Sequence, residues 1–441
     1  MRRHLPLTGI VVLAALLRLS TLGMRSLWLD EGYEYDAVRG SLGHLWERIV
    51  NRESTPPLSY LYEWLWVKAI GTSEFALRFP FALLGIALVV VMYFAARALS
   101  GRRAGLIAAA LAACNPMLVW HAQDARSYTL LALLLAGTVL ALARGRLWWW
   151  AGLAVAALVT NSFAIFVVGL EALWLLRLRG RTAWPQIAPP ALVVVPLAAL
   201  VLAQGTGRAG WIAGVSLSTR VAQIPGGFVV GYQLERAVSV AIGVPLIVVL
   251  LVALWRAWPV PGGRALFALG AIGIALPLLA AVAGEDYLVQ RYVIGSLVAL
   301  VLAAAIGFDR LRWGVPLAAA VCAAWIVITV VTAADPKFRR EDWRGAVHAA
   351  RSSQVVMIVP RSAVAVTNYY RHGSAPVDRA RVTSLAVLRM GQTTGTGCSI
   401  PPSPPAPGAA STSVRGTCWQ VDLRRWVAPR TIVAGRETLI R

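Results

Sequence analysis

The feature that most constrains this chain is a succession of apolar stretches between its first residues and position 333. They occupy 5–22, 79–96, 104–119, 128–141, 147–160, 163–176, 187–202, 237–254, 265–283, 292–306 and 315–333. Hydrophobic residues make up 58% of the chain and charged residues only 14%, which is outside the balance of water-soluble proteins, so the stretches belong in lipid. Several are shorter than the roughly 20 residues of a perpendicular span. The first lacks a small-residue cleavage site and reads as an anchor, not a signal peptide. The expectation is an all-α polytopic membrane bundle of about eleven transmembrane helices over residues 1–333, with an outer loop at 24–75. A small extracytoplasmic α/β domain over 334–441 follows.

Arginines fix the expected orientation, because short loops rich in Lys and Arg stay in the cytoplasm. Arg2 and Arg3, the Arg97, Arg102 and Arg103 group, Arg144 and Arg146, Arg177 to Arg181, Arg256 and Arg264, and Arg310 and Arg312 fall on alternate connections. The acids fall on the others: Asp30, Glu31, Glu34, Asp36, Glu47, Glu53 and Glu74, then Asp124, then Glu285 and Asp286. The amino terminus is therefore expected inside and the tail outside. The net charge of +22 is spread over loops and tail, with no basic stripe interleaved with aromatic platforms, which argues against nucleic acid as a partner. Cys114 and Cys322 lie within apolar stretches, whereas Cys398 and Cys418 lie in the tail, where an oxidising compartment allows them to form a disulfide.

Within the outer loop, Leu42, Leu45, Trp46 and Ile49 repeat at helical spacing, as do Leu58, Leu61, Tyr62 and Leu65, predicting helices along the membrane surface. In the tail, Glu341, Asp342 and Trp343 precede helix-like sequence and then the strand-like run 355–359. The proline-rich 400–407 stretch reads as a loop. Trp148, Trp149 and Trp150 read as an aromatic belt.

Three polar segments border the apolar stretches. Asp30 and Glu31 sit immediately outside the first one, where adjacent carboxylates are unfavourable neighbours for each other and for lipid. They read either as a general base for an inverting glycosyl transfer or as a solvated turn in which Asp30 caps a helix. In 121–128, Asp124 can hold a divalent cation, order an acceptor or simply pair with Arg126, whose planar fork suits a phosphate oxygen. In 285–292, Arg291 opens an apolar stretch and needs an anion, either a lipid phosphate or a protein carboxylate.

The order of these segments carries a resemblance. The acidic pair, Thr55-Pro56-Pro57-Leu58, the run from Glu74 to Arg78-Phe79-Pro80, Gln123 to Tyr128, Arg291-Tyr292 and Asp342-Trp343-Arg344 together resemble the bacterial glycosyltransferase family 39 group. That group has the GT-C fold and includes aminoarabinose transferases of lipid A; protein O-mannosyltransferases are related. The resemblance implies transfer of a sugar from a polyprenyl-phosphate donor in the membrane to an acceptor outside, with Asp30 as base and Glu31 assisting. It also implies substrate contacts from Asp124, Arg126, Tyr128, Arg291 and Tyr292, with the two arginines facing the donor phosphate. A divalent ion at Asp124 is the one cofactor this pattern allows, and two departures subtract contacts from it: Thr55 where members often carry His or Lys, and Asn161-Ser162 where they often carry His. The rival class is a transporter or flippase of lipid-linked sugars, which would bury charged groups deep in central spans near broken helices.

Overall fold

The computed structural model describes residues 5–204, 212, 214–232, 234, 236–335, 338, 341–359, 361–371, 376–394, 397–404, 407–416, 418–434 and 438–440. Arg2 and Arg3 lie outside the described residues, as does the side chain of Cys398.

Every apolar stretch read from the sequence lies on a helix. The first is α1 (Leu5–Leu19), and the outer loop then folds into α2 (Leu29–Val38), α3 (Leu42–Asn51) and α4 (Leu58–Ile70). Caps explain two of the starts. Ser41 accepts from the His44 N–H to begin α3, and Ser73 accepts from Ala76 to begin α5 (Glu74–Ser100). Gly101, at φ 96°, ends α5 in a conformation that L side chains resist, and α6 (Arg102–Cys114) starts at once.

Asn115 and Pro116 break the third stretch into α6 and α7 (Pro116–Ala122), which meet at a bend of 61°. Arg18, fully buried in α1, covers that break by donating from Nη1 to Ala113 O and from Nη2 to Ala112 O, both at 2.9 Å. The carbonyl end of a helix is where a buried cation is best tolerated. After α8 (Tyr128–Ala143) and α9 (Leu147–Thr160), helix α10 (Ala164–Arg179) runs through a 3-10 turn into α11 (Trp184–Gln204). Glu171 of α10 accepts from Thr138 Oγ1 of α8 at 2.9 Å and Trp150 Nε1 of α9 at 2.8 Å, which ties three helices together. The remaining bundle is α12 (Leu217–Val230), α13 (Arg236–Ala257), α14 (Pro261–Val282), α15 (Ile294–Asp309) and α16 (Gly314–Ala334).

Among the described residues six helices are long and apolar enough to cross a membrane, or seven if the bent α6–α7 pair is one span. Residues 5–19, 128–143 and 147–160 form shorter apolar helices. The 164–204 segment counts as one of the six, yet its 41 residues would reach about twice the thickness of a hydrocarbon core. Both its ends lie beside the outer-loop side of the molecule: Asn161, just before α10, donates to Ser127 Oγ, and Gln204 donates to Ile49 O at 2.9 Å. The segment therefore enters and returns, turning at Gly180 (φ 58°). The protein is a multi-pass membrane protein.

The tail begins with α17 (Trp343–Ala349), capped by Asp342, followed by β1 (Val355–Val359) and α18 (Val364–Tyr370). Then come β2 (Pro376–Val377), β3 (Arg379–Met390), β4 (Gln392–Thr394), β5 (Gly397–Ser399), β6 (Ala410–Gly416), β7 (Trp419–Val433) and β8 (Thr438–Ile440). The main sheet has the order β2-β8-β1-β3-β7-β6, parallel only between β1 and β3, while β4 and β5 pair separately. One hydrophobic core joins tail and outer loop: Trp343, Val356, Ile358, Val366 and Ile440 pack with Leu27, Val38, Leu45, Ile49 and Phe81. On α3, Leu42 and Trp46 stay exposed opposite buried Leu45 and Ile49. Gly32 is needed for this docking, because a Cβ there would meet Val366 Cβ at 2.6 Å. Cys418 is disulfide-bonded, and Cys114 and Cys322 are free and buried.

Candidate active site

The link between α1 and α2 is held from below by Arg78 of α5, which is 3% exposed. Its guanidinium donates to the carbonyls of Leu22 (3.0 Å), Arg25 (2.7 Å) and Ser26 (2.8 Å) and, through Nε and Nη2, to the two carboxylate oxygens of Glu31 (2.7 and 2.6 Å). This planar two-point match is the geometry that arginine supplies and lysine does not. Glu31 also accepts from Ala125 N (3.0 Å) and Trp28 N (3.2 Å), so it closes the first turn of α2.

These bonds separate the two acids that the sequence sets side by side. Glu31 is fully enclosed, so no substrate can touch it, and the expectation that it assists in chemistry becomes a positioning role. Asp30 lies about 100° further round the helix and is 23% exposed at its side chain. Arg291 reaches it from the turn before α15, with Nη2 3.6 Å from Asp30 Oδ2. The Arg291 guanidinium stands 5.6 Å from the rings of Trp28 and Tyr292, a cation held by aromatic faces and one carboxylate. Tyr292 lies 4.7 Å from Phe163 and 6.3 Å from Tyr128, so the predicted Tyr128 and Tyr292 do meet beside Arg291.

The other expected contacts lie deeper. Asp124 is 3% exposed and sits 3.4 Å from His121 Nδ1, while His121 Nε2 shares a hydrogen bond of 2.9 Å with the Tyr232 hydroxyl. Arg126 is 8% exposed. Its Nη1 donates to Glu34 Oε2 at 2.9 Å and lies 3.7 Å from Glu53 Oε2, so two protein carboxylates stand beside its charge. Among the described residues no three His, Cys, Asp or Glu side chains are grouped to hold a metal ion.

Sequence reasoning assigned no role to Arg78, Glu34, Glu63 or Tyr232. Burial raises the Glu34 carboxyl to about 8 against the pull of Arg126, with Glu53 adding to the rise. Burial and the neighbouring Glu34 push Glu63 well above the carboxylate range. A lone acid among the aromatic residues Tyr60, Tyr62, Trp64 and Trp66 of α4 was the available signal for Glu63. A different acid, Asp286, is held below its usual range by the fork of Arg220.

Fold and site thus define a multi-pass membrane protein with an acid–arginine pair at an aromatic rim, covered by the α/β tail. Residues 54–207 match the family model of dolichyl-phosphate-mannose-protein mannosyltransferases, and that match supports a GT-C glycosyltransferase. The chain is also similar to ArnT from Cupriavidus metallidurans in the apo state (17% identity, TM-score 0.48, covering 83% of this chain and 67% of that one). The undecaprenyl-phosphate-bound form of ArnT gives 18% identity and a TM-score of 0.47, over 83% of this chain and 68% of that one. The archaeal oligosaccharyltransferase AglB from Archaeoglobus fulgidus, in complex with an inhibitory peptide and a dolichol-phosphate, gives 12% identity and a TM-score of 0.48. That likeness covers 79% of this chain and 57% of that one. No curated protein matches the chain.

Proposed function

We propose that the protein transfers a sugar from a polyprenyl-phosphate donor to an acceptor on the outer side of the membrane, with inversion at the anomeric carbon. The observation that carries this reading is the unequal treatment of the two neighbouring acids. Glu31 is locked by Arg78, whereas Asp30 is left partly exposed beside Arg291.

In this mechanism Asp30 takes the proton of the acceptor hydroxyl as its oxygen bonds to the anomeric carbon. The bond from that carbon to the phosphate oxygen breaks, and the electron pair leaves with polyprenyl phosphate. Arg291 meets the charge that develops there. Direct displacement needs one base and no protein nucleophile, which suits one exposed carboxylate.

The lipid part of the donor has a matching surface. A groove of about 190 Å³ between α6, α12, α13, α14, α15 and α16 is lined by Ile224, Phe228, Leu250, Leu254, Leu300 and Trp325, an apolar channel suited to a prenyl chain. The arginine alternation supports an amino terminus inside and a tail outside. The transporter reading is weaker, although Arg18 and Glu171 are buried within the bundle. Both are bonded to helix groups, Arg18 to the Ala113 carbonyl and Glu171 to Thr138.

Purified protein given radiolabelled polyprenyl-phosphate sugars and candidate acceptors tests the reading. Transfer is expected, and Asp30→Asn should lower turnover on the order of 10²- to 10⁴-fold while donor still binds. Movement of intact lipid-linked sugar across vesicles, with no transfer, would establish the transporter instead.

A further inference from the structure

Four acids are shut away where α2, α4 and the 123–127 link meet: Glu31, Glu34, Glu53 and Glu63 are each less than a tenth exposed. Arg78 neutralises Glu31. Arg126 lies 2.9 Å from Glu34 and 3.7 Å from Glu53, and Arg48 also acts on Glu53. Glu53 has a further donor in the Tyr60 hydroxyl, at 2.6 Å.

Glu63, fully buried on α4, has no such donor. Neither of its oxygens, nor Oε1 of Glu34, is given a proton by another described group, yet the two carboxyls lie within hydrogen-bonding reach of each other. Two acceptors in contact repel unless one of them carries a proton, and like charges cut off from water force that proton to be retained.

We propose that Glu34 and Glu63 hold one proton between them as a tie that positions α2, and with it Asp30, against α4. Its consequence for turnover rests on the glycosyl-transfer reading, whereas the tie itself does not. The other groups facing the pair are Arg126, Glu53, Glu31 with its Arg78, Tyr60 and Tyr62. Helix α18 presents Tyr369 to Tyr35 on α2, α3 presents Arg48 to Asp36, and α9 carries no titratable side chain. None of these offers Glu63 a second cation.

Both carboxyls are raised by burial, Glu34 to about 8. A raised folded-state value means that the stabilisation is complete below the ordinary carboxylate range and fades as pH rises through about 8. Above that point a second negative charge drives α2 and α4 apart.

The test compares wild type with Glu63→Gln, whose amide supplies a permanent N–H to Glu34. The infrared difference between wild type and Glu63→Gln at neutral pH should show the carbonyl band of one protonated buried carboxylic acid lost in the variant. The thermal midpoint of the wild type should fall as pH is raised from the ordinary carboxylate range to about 8 and level off beyond it, and that of Glu63→Gln should stay level. Wild-type turnover should drop about tenfold for each pH unit beyond that point, a limb absent from the variant. Glu34→Gln is the second variant if Glu63→Gln does not fold. Absence of the infrared band, a flat wild-type profile, or an alkaline fall shared by both proteins would overturn the tie. If band and midpoints behave as expected but no sugar is transferred by any form, the tie stands and the glycosyl-transfer reading fails.

Discussion

Replacing Glu31 by Gln removes one charge and changes almost no volume, so it isolates the electrostatic part of the Glu31–Arg78 lock. Both side chains are buried, and two of the four bonds to Glu31 come from Arg78. Breaking a buried pair typically costs about 3 to 5 kcal/mol, because an uncompensated charge is left behind. Arg78 keeps three carbonyl partners, at Leu22, Arg25 and Ser26. The cost should therefore sit near the lower end, about 3 kcal/mol, or on the order of 10² in the folding equilibrium. Arg78→Met should cost more, since it strands Glu31 and frees the 22–26 link together. The double variant should lose less than the two singles added, by on the order of 2 kcal/mol. Chemical denaturation in mild detergent, followed by tryptophan fluorescence, measures all three. Loss of less than 1 kcal/mol in Glu31→Gln, or strict additivity, would refute the argument that this pair sets the position of α2. Asp30→Asn is the control and should leave the denaturation curve in place.

Arg291→Ala should weaken binding of a polyprenyl-phosphate donor, read by titration of the purified protein; unchanged affinity in a folded variant would reduce Arg291 to a rim contact of Asp30. Gly32→Ala should cost about 1 to 3 kcal/mol, because its Cβ would drive into Val366, and limited proteolysis should then release the tail from the loop. A reporter fused after the tail should be active only outside the cytoplasm, and activity inside would reverse the orientation. Thiol labelling of unreduced, unfolded protein should reach Cys114 and Cys322 and spare Cys418; labelling of Cys418 would contradict the bond.

Much of the bundle was legible because lipid makes hydropathy a direct record of where helices run. All eleven stretches lie on helices, and the strand read at 355–359 is β1. The bend after Cys114 was signalled by Asn115-Pro116, but an apolar average passes over a local break. The long strands β3 and β7 were not read. Arginines, serines and threonines interrupt their apolar runs, and the two-residue alternation that marks a strand is lost at the shift in register between Val382 and Ser384. Within the site, Asp30, Tyr128, Arg291 and Tyr292 were named from sequence and do come together. The different fates of Asp30 and Glu31 were not legible, because they depend on Arg78, far along the chain. Glu34, Glu53 and Glu63 were hidden for the same reason. An acid in a polar loop looks solvated until the elements that enclose it are known.

The tail sheet closes in an unusual order. Its β8 strand lies inside the sheet, between β2 and β1, and Ile440 enters the same core as Leu27 and Phe81. The clasp at Ser26, which donates to Glu341 O and accepts from Trp343 N, likewise ties the start of the chain to a segment made hundreds of residues later. Synthesis runs in one direction, so α2 emerges long before the residues that hold it exist. The frame around Asp30 is therefore tied to completed synthesis: a chain halted before β8 would expose α2 to protease. A half-made protein in the membrane would hold its apolar groove before the acid–arginine pair above it is framed.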